Sequence, residues 1–386
     1  MLTRELLEQR LLDFVRTKLT APEIAATVDV HTRLFELRVV DSLKILELIA
    51  FIESAIGRKI PDAQVVLANF RSIETMARIF SADAGVAATR QRRSGQRARQ
   101  SPIFENKTAR RYYDAAQSLF ERGDIKWDGS GGLQLFGSAR RLLELFDSTA
   151  AGWARELGAV EEVFADTISA ESLDRAGFLS AFPEKVVQVN GDTNFVMPPA
   201  VCYHHYPHLA HHLVDASGTM ITACGRCYRN ERDEAHPVER LRAFTMREII
   251  AVGSDSFVES MRRELMDRVT KWIVELELDG FIETASDPFF TNEGRGRRLM
   301  QQLQPLKYEL QLQVSGDGRT MAAASFNHHR DHFTRAFSIR LENGDTANSG
   351  CVAFGWERWI IAFVAQHGAD EENWPETVRG RYAVTA

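Results

Sequence analysis

"CYRNERDEAHPVERLRAFTMREII", residues 227–250, reads as two strands around a polar loop. Arg229 and Glu231 end the first strand and Pro237 marks the loop. Arg240, Phe244 and Glu248 then recur every fourth residue, with Glu248 on the returning strand. Side chains two apart in a strand point to one face. Arg229 and Glu231 can therefore address one ligand, as can Phe244 and Glu248. The chain has no Walker A loop and no Gly-x-Gly-x-x-Gly after a strand. That argues against a P-loop or Rossmann site and leaves a different kind of nucleotide site open.

Outward from this hairpin the texture is α/β from about residue 106. A helix-like run, "ARRLLELFDSTAAGWARELG" (139–158), stands among strand-like runs: "KVVQV" (185–189), "TMITACGRCYRN" (219–230), "FTMREIIAVG" (244–253), "MAAASF" (321–326) and "CVAFGW" (351–356). "GCVAFGWERWIIAF" (350–363) is a glycine-bearing strand entering an apolar helix, with Arg358 at the junction.

These two segments resemble motifs 2 and 3 of class II aminoacyl-tRNA synthetases, with Gly355, Glu357 and Arg358 completing the ordered set. The resemblance implies that Arg229 grips the α-phosphate of ATP and Glu231 positions the adenine side. It implies a stacking role for Phe244 and places Arg358 between the γ-phosphate and the other adenine face; Arg240 joins this ATP-binding set. The residue types suit the chemistry. Attack of a carboxylate on the α-phosphorus concentrates charge on phosphate oxygens, and fixed guanidiniums stabilise it. "GFLSAFPEKVVQVN" (177–190), with Pro183, stands where the dimer-forming motif 1 is expected, so a homodimer is expected with it.

Within class II the chain is similar to the atypical, zinc-dependent seryl-tRNA synthetase core and its relatives, the amino acid:carrier protein ligases. In that group a Cys, a Glu and a Cys hold one zinc in the amino acid pocket. Cys202 in "VCYHHYPHL", Glu248 and Cys351 match those positions. Three protein ligands leave one tetrahedral position open, where a substrate amine can bind. "LKYELQLQV" (306–314) and "ASFNHHRDHF" (324–333) resemble strands that contact the amino acid, through Lys307, Glu309, Gln311, Ser325 and Asn327. Competing metal patterns fit less well. Cys224 and Cys227 would point to opposite faces of a strand and read as packing. His204, His208 and His212 have helical i, i+4 spacing without the Glu of His-Glu-x-x-His, so they read as site-lining or solvated.

The first eighty residues differ in kind. Leu7, Leu11, Phe14 and Val15 give a first helix, and a long connection runs from about Thr20 to Val40. Asp41 caps a second helix whose face is Leu46, Ile49, Ile52 and Ile56, ending near Gly57 with Pro61 after it. Ser72 caps a last short helix carrying Ile73, Met76, Ala77 and Phe80. A three-helix bundle with Asp41-Ser42-Leu43 opening its second helix resembles an acyl or peptidyl carrier protein. The resemblance implies 4′-phosphopantetheine on the Ser42 hydroxyl, and a helix N-terminus suits a phosphodiester. Carrier proteins are often acidic, whereas residues 1–80 hold eleven acidic and eleven basic side chains. "ADAGVAATRQRRSGQRARQSP" (82–102), with five arginines and almost no large apolar residue, reads as a flexible basic tether.

The expected organisation is thus a carrier-like all-α bundle at 1–81, a linker at 82–105, and an α+β class II synthetase-like antiparallel-sheet domain at 106–386. Net charge of −6 gives no overall basic surface for nucleic acid. Four cysteines, no signal peptide and no bilayer-length apolar run suit the cytoplasm. The resemblances imply an enzyme that activates a small amino acid, glycine or alanine, with ATP and Mg²⁺ at a Zn²⁺-bearing site. They imply transfer to a phosphopantetheine thiol on its own bundle or a separate carrier, after priming by a phosphopantetheinyl transferase. Synthetases of this type place a tRNA-binding helical domain where the carrier-like bundle stands, so tRNA is not the expected acceptor. A tRNA-charging enzyme and an inactive regulatory paralogue are the alternatives, the latter opposed by the retained arginines and metal trio.

Overall fold

A computed structural model describes residues 3–20, 25–34, 44–61, 64–65, 69–81, 102–108, 110–127, 129, 131–189, 191, 194–231, 240–285 and 306–382. The chain divides into two compact units, one built on the first hundred residues and one on 101–285 with 306–386.

The first unit is helical. Helix α1 (Arg4–Phe14) starts where the Thr3 side chain accepts from the Leu6 amide, and runs into a π-helical turn, Val15–Leu19. Helix α2 spans Lys44–Ile56, and α3 (Ile73–Phe80) is capped by Ser72. Leu7, Leu11, Val15, Ile73, Met76, Ala77 and Phe80 are buried together, and the connection after α1 adds Val28 and Leu34. The buried face of α2 is Ile45, Leu48, Ile49 and Ile52, about an eighth of a turn from the face read off the sequence, with Ile49 and Ile52 common to both; Ile56 is only partly buried. Four apolar residues in the register i, i+3, i+4, i+7 make the wider stripe, and that stripe takes the core. Glu53, on the same helix, is buried because it accepts from the Ile60 amide at 2.9 Å and from Lys59 at 2.8 Å. Asp41, Ser42 and Leu43 lie outside the described residues, as do residues 82–101 of the expected linker.

The second unit is a mixed sheet of eight strands. In chain order they are β1 (Phe104–Asn106), β2 (Val160–Glu161), β3 (Thr219–Tyr228), β4 (Ala243–Gly253), β5 (Gly280–Thr284), β6 (Lys307–Gln313), β7 (Thr320–Arg330) and β8 (Asn348–Gly355). Their spatial order is β1-β5-β6-β7-β8-β4-β3-β2, antiparallel throughout except for β2, which lies parallel to β3. β1 begins two residues before the expected end of the linker. A three-residue strand carries no periodicity from which it could be read.

Helices α4 (Gly137–Glu156), α5 (Asp255–Glu275) and α6 (Trp356–His367) pack on the sheet. Along β4, Ile249 and Ala251 join the helices in the main core with Val352 and Phe354 of β8. Phe146, Trp272 and Trp359 pack as one aromatic cluster, with Phe146 and Trp272 5.4 Å apart edge to face and Trp272 and Trp359 4.6 Å apart. Burying each such ring removes roughly 150–250 Å² from water. Gly137 permits the start of α4: a Cβ there would lie 2.0 Å from Asp124 Oδ1, which accepts from the Ser138 amide.

The segment 177–190 departs from the expectation. It forms a short helix, Phe178–Ala181, and a 3₁₀ turn, Pro183–Lys185, and "KVVQV" makes only an isolated bridge between Gln188 and Val196. No strand of the main sheet comes from it among the described residues. At the far edge of the sheet β2 follows α4 and exposes Val160, with exposed Val163 just beyond it. Pro183 starts a turn because it lacks an amide donor, which a paired strand would need.

Candidate active site

The face of the sheet opposite the helices carries the site. On β4, Phe244 and Met246 turn to a cleft of about 280 Å³ while Arg247 turns to the helices. Arg229, Glu231 and Arg240 reach the cleft from the ends of the β3–β4 hairpin, Lys307 and Glu309 from β6, and Arg358 from the start of α6. Pro237 lies outside the described residues. All five residues of the expected ATP set thus line one cavity. β3 stops at Tyr228, one residue short of Arg229, but the Arg229 amide still donates to Arg242 O at 2.8 Å.

Each cation has its own support. Arg229 Nε donates to Pro199 O at 3.1 Å, and its guanidinium lies 5.1 Å from the centre of the Phe244 ring. A bulge between β6 and β7 skips Ala323, and the carbonyls beside it find partners on α6. Arg358 Nη1 donates to Ala322 O at 2.8 Å and Trp359 Nε1 to Ala323 O at 3.0 Å. The bulge thereby re-aims the residue at the strand–helix junction. Burial lowers the Arg358 pKa, and the neighbouring Arg229 and Arg240 push the same way against Glu309 and Glu231. Three guanidiniums and Lys307 converge in this cleft with Glu231 and Glu309, a set in which a polyanion can be gripped by several cations at once.

Two carboxylates hold this frame. Glu357, almost wholly buried, accepts from the Thr245 amide at 2.9 Å, from Thr245 Oγ1 at 3.0 Å and from Arg226 at 3.2 Å, tying α6 to β4. Its place in the first helical turn also suits the helix dipole. Glu231 pairs with Lys185 at 2.6 Å, and the Asn230 amide donates to Lys185 O. The stretch matched to motif 1 therefore buttresses the β3–β4 hairpin. Behind the sheet, buried Arg247 bonds Asp147 of α4 at 2.7 and 2.8 Å. Nothing local in the sequence could have paired residues a hundred positions apart.

Beside the cleft, Cys202, Glu248 and Cys351 present ligand atoms that all lie within 4.8 Å of one another, the one such group of three among the described residues. Cys202 opens a 3₁₀ turn, Glu248 is on β4 and Cys351 on β8, with Ile250 of β4 opposite Cys351. Gly350 lets β7 and β8 close up here: a Cβ would lie 2.6 Å from Asn327 O. The Cys202 amide donates to Glu248 Oε2 at 2.9 Å, which fixes the carboxylate beside the Cys202 thiol. Burial raises the Glu248 pKa; the bond shared with Cys351 and then burial raise that of Cys202. Three buried acids that resist ionising side by side are a set that a divalent cation would relieve. The donors of a tetrahedral zinc stand about 3.5–3.8 Å apart, given Zn–S near 2.3 Å and Zn–O near 2.0 Å. Small side-chain adjustments suffice, so the donor set fits such an ion.

The remaining candidates are distributed as follows. Lys307 Nζ lies 2.9 Å from Glu309 Oε1, Gln311 donates to Glu309 at 3.3 Å, and Ser325 lines the cleft. Asn327 is turned to Cys351 rather than to the cleft, its amide 3.3 Å from the sulfur. His204 stacks on Phe164 with centroids 5.1 Å apart, and His205 is buried 3.7 Å from Glu162. Cys224 sits beside Asp147, whereas Cys227 packs with Val201 and Ala223. The sequence reading passed over His329 and Tyr206, both buried beside Cys351; single polar residues in a strand and a short helix carry no pattern.

No family model matches the chain. The M. kandleri SerRS, solved in complex with A. aeolicus tRNASec, superposes with a TM-score of 0.67 over 85% of this chain and 71% of its own, at 21% identity. The chain is a class II aminoacyl-tRNA synthetase-like protein by fold. Amino acid--[acyl-carrier-protein] ligase 1 of Bradyrhizobium diazoefficiens is 31% identical over 252 residues, 58% of this chain and 77% of that protein. The type-2 serine--tRNA ligase of Methanococcus aeolicus is also 31% identical, over 194 residues, 48% of this chain but 37% of the ligase. The chain belongs to the amino acid--[acyl-carrier-protein] ligase family and is an enzyme of that type.

Proposed function

We propose that the second unit condenses a small amino acid, glycine or alanine, with ATP and passes the aminoacyl group to a phosphopantetheine thiol. The observation that carries this is the adjacency of a guanidinium-lined cleft and a buried Cys–Glu–Cys set on one sheet face. Arg229 and Arg358 would hold phosphate oxygens, with Arg240 beside them. Glu231 and Phe244 would fix the adenine, and Mg²⁺ would accompany the nucleotide. Zinc held by Cys202, Glu248 and Cys351 would keep a free α-amino group at its open position. Lys307 and Glu309 border the path between these sites, with Asn327 behind Cys351.

With both substrates held, the carboxylate oxygen attacks the α-phosphorus and the bond to pyrophosphate breaks. The charge gathering on the phosphate oxygens meets fixed cations, which is where an active site gains most. The thiolate then attacks the adenylate carbonyl and AMP leaves. The bundle at 1–81 is read as the carrier, with Ser42 as the attachment point and residues 82–105 as tether, which would raise the thiol's effective concentration. A separate carrier could serve instead. The exposed edge at Val160 and Val163 supports a homodimer face. Among the described residues no helix is long and apolar enough to cross a membrane.

Pyrophosphate exchange across the twenty amino acids, followed by transfer to phosphopantetheinylated bundle or to bulk tRNA, tests the reading. Exchange with glycine or alanine and transfer to the thiol is the expected result. Exchange confined to large side chains, or efficient charging of tRNA, would refute it.

A further inference from the structure

Cys351 differs from Cys202 in what surrounds its sulfur. The Asn327 amide nitrogen lies 3.3 Å from Cys351 Sγ and also reaches Cys351 O and Ser325 Oγ, at 3.4 and 3.0 Å. The carbonyl oxygen can only accept, which places the amide nitrogen on this side, one N–H serving Ser325 Oγ and the other shared between Cys351 Sγ and Cys351 O. On another side, His329 Nε2 lies 3.7 Å from the same sulfur. The other nitrogen of that ring faces two hydroxyls, Tyr206 Oη at 3.1 Å and Ser349 Oγ at 3.5 Å. Hydroxyls can donate, and a lone pair aimed at a thiolate would be repelled. The consistent tautomer therefore accepts at Nδ1 and carries its proton on Nε2. Tyr206, Ser349, His329 and Asn327 are all buried, so these bonds are sheltered from water. His329 is not among the residues whose donor atoms lie within 4.8 Å of one another, so it is a neighbour of the ligand rather than a fourth ligand.

The geometry points to Asn327 and His329 as positioning residues that donate two N–H groups to the Cys351 sulfur, with Tyr206 setting the histidine tautomer. This inference rests on the zinc reading of Cys202, Glu248 and Cys351. Two thiolates and a carboxylate carry three negative charges against the two positive charges of zinc. The excess is buried, and N–H donors at one sulfur offset it without closing the position meant for an amine. Groups that hydrogen-bond a ligand in this way orient it and tune the ion. Asn327 then contributes to amino acid binding through the ligand it braces.

The test uses the full chain loaded with zinc or with Co²⁺, and reads metal affinity by competition with a chromophoric chelator. His329→Phe and Asn327→Ala should each weaken retention about 10- to 100-fold and move the sulfur-to-cobalt charge-transfer band to longer wavelength. His329→Gln, which keeps an N–H on a side chain of similar reach, should restore most of both. Tyr206→Phe should weaken binding in the parent but add nothing to His329→Gln, whose donor needs no tautomer. Affinities within twofold of the parent for His329→Phe, Asn327→Ala and Tyr206→Phe, with an unmoved band, would overturn the proposal. If His329→Phe fails to fold, Tyr206→Phe, which loses one oxygen, decides alone. A parent chain that binds neither metal would defeat the zinc reading itself, and this proposal with it.

Discussion

Replacing Arg358 with alanine separates what the cleft does for catalysis from what it does for stability. In the free protein the partly buried guanidinium lies near Arg229 and Arg240 as well as Glu309 and Glu231, and its pKa is lowered, chiefly by loss of solvation. Its bond to Ala322 O, 2.8 Å long, is worth about 1 kcal/mol net. Relief of repulsion from Arg229 and Arg240 opposes that loss, and lost attraction to Glu309 and Glu231 offsets part of the relief. The folded state should therefore change by about 1 kcal/mol or less, a shift of roughly 2–4 °C in thermal midpoint for a domain of this size. The transition state has no such compensation. Losing one fixed donor to developing phosphate charge costs about 3–4 kcal/mol, which is about 10²–10³ in rate. Pyrophosphate exchange at saturating ATP and amino acid reads the second quantity and a thermal melt the first. An exchange rate within tenfold of the parent would refute the assignment of Arg358 to the phosphates. A fall in midpoint of ten degrees or more accompanying the lost activity would make the residue structural.

The other outcomes concern separate parts of the chain. Incubation with coenzyme A and a broad phosphopantetheinyl transferase should add one arm to the parent and none to Ser42→Ala, read by intact mass; an arm on another serine would sink the carrier reading. Cys351→Ala should retain almost no zinc by metal analysis, because a three-ligand site loses a thiolate; full occupancy would exclude Cys351 as a ligand. His367 is buried, bonds Leu276 O at 2.9 Å, and burial brings its pKa down from 6.5 to about 4. The folded state binds fewer protons in that interval, so the stability it holds above about pH 6.5 is lost as the pH falls toward 4. That loss is on the order of 3 kcal/mol. Denaturant unfolding at pH 7 and pH 4.5 should show a smaller difference in His367→Gln than in the parent; an unchanged difference would rule the histidine out.

Some of this was legible in the residues because it is local. Period-two alternation in residues 219–230 and 244–253 announced the β3–β4 hairpin, and the helix-like run 139–158 announced α4. The types and order of Arg229, Glu231, Phe244, Glu248, Cys351 and Arg358 carried the proposed chemistry, since few side chains can grip phosphate or soft metal, and the fold brings them into one cleft and one adjoining cluster. Side-chain partnership across the fold was not legible. Residues 185–189 read as strand-like within the stretch matched to motif 1, yet Pro183 starts a turn that sets Lys185 on Glu231. The Arg247–Asp147 pair and the two donors to Cys351 depend on which strands become neighbours and in what register. A shift of one residue would send each of those side chains to the other face of the sheet. Local pattern can choose a strand, but only burial of the whole helix-covered face selects its neighbours. That selection is what brings Cys202, Glu248 and Cys351, separated by 46 and 103 positions, within one ion's reach.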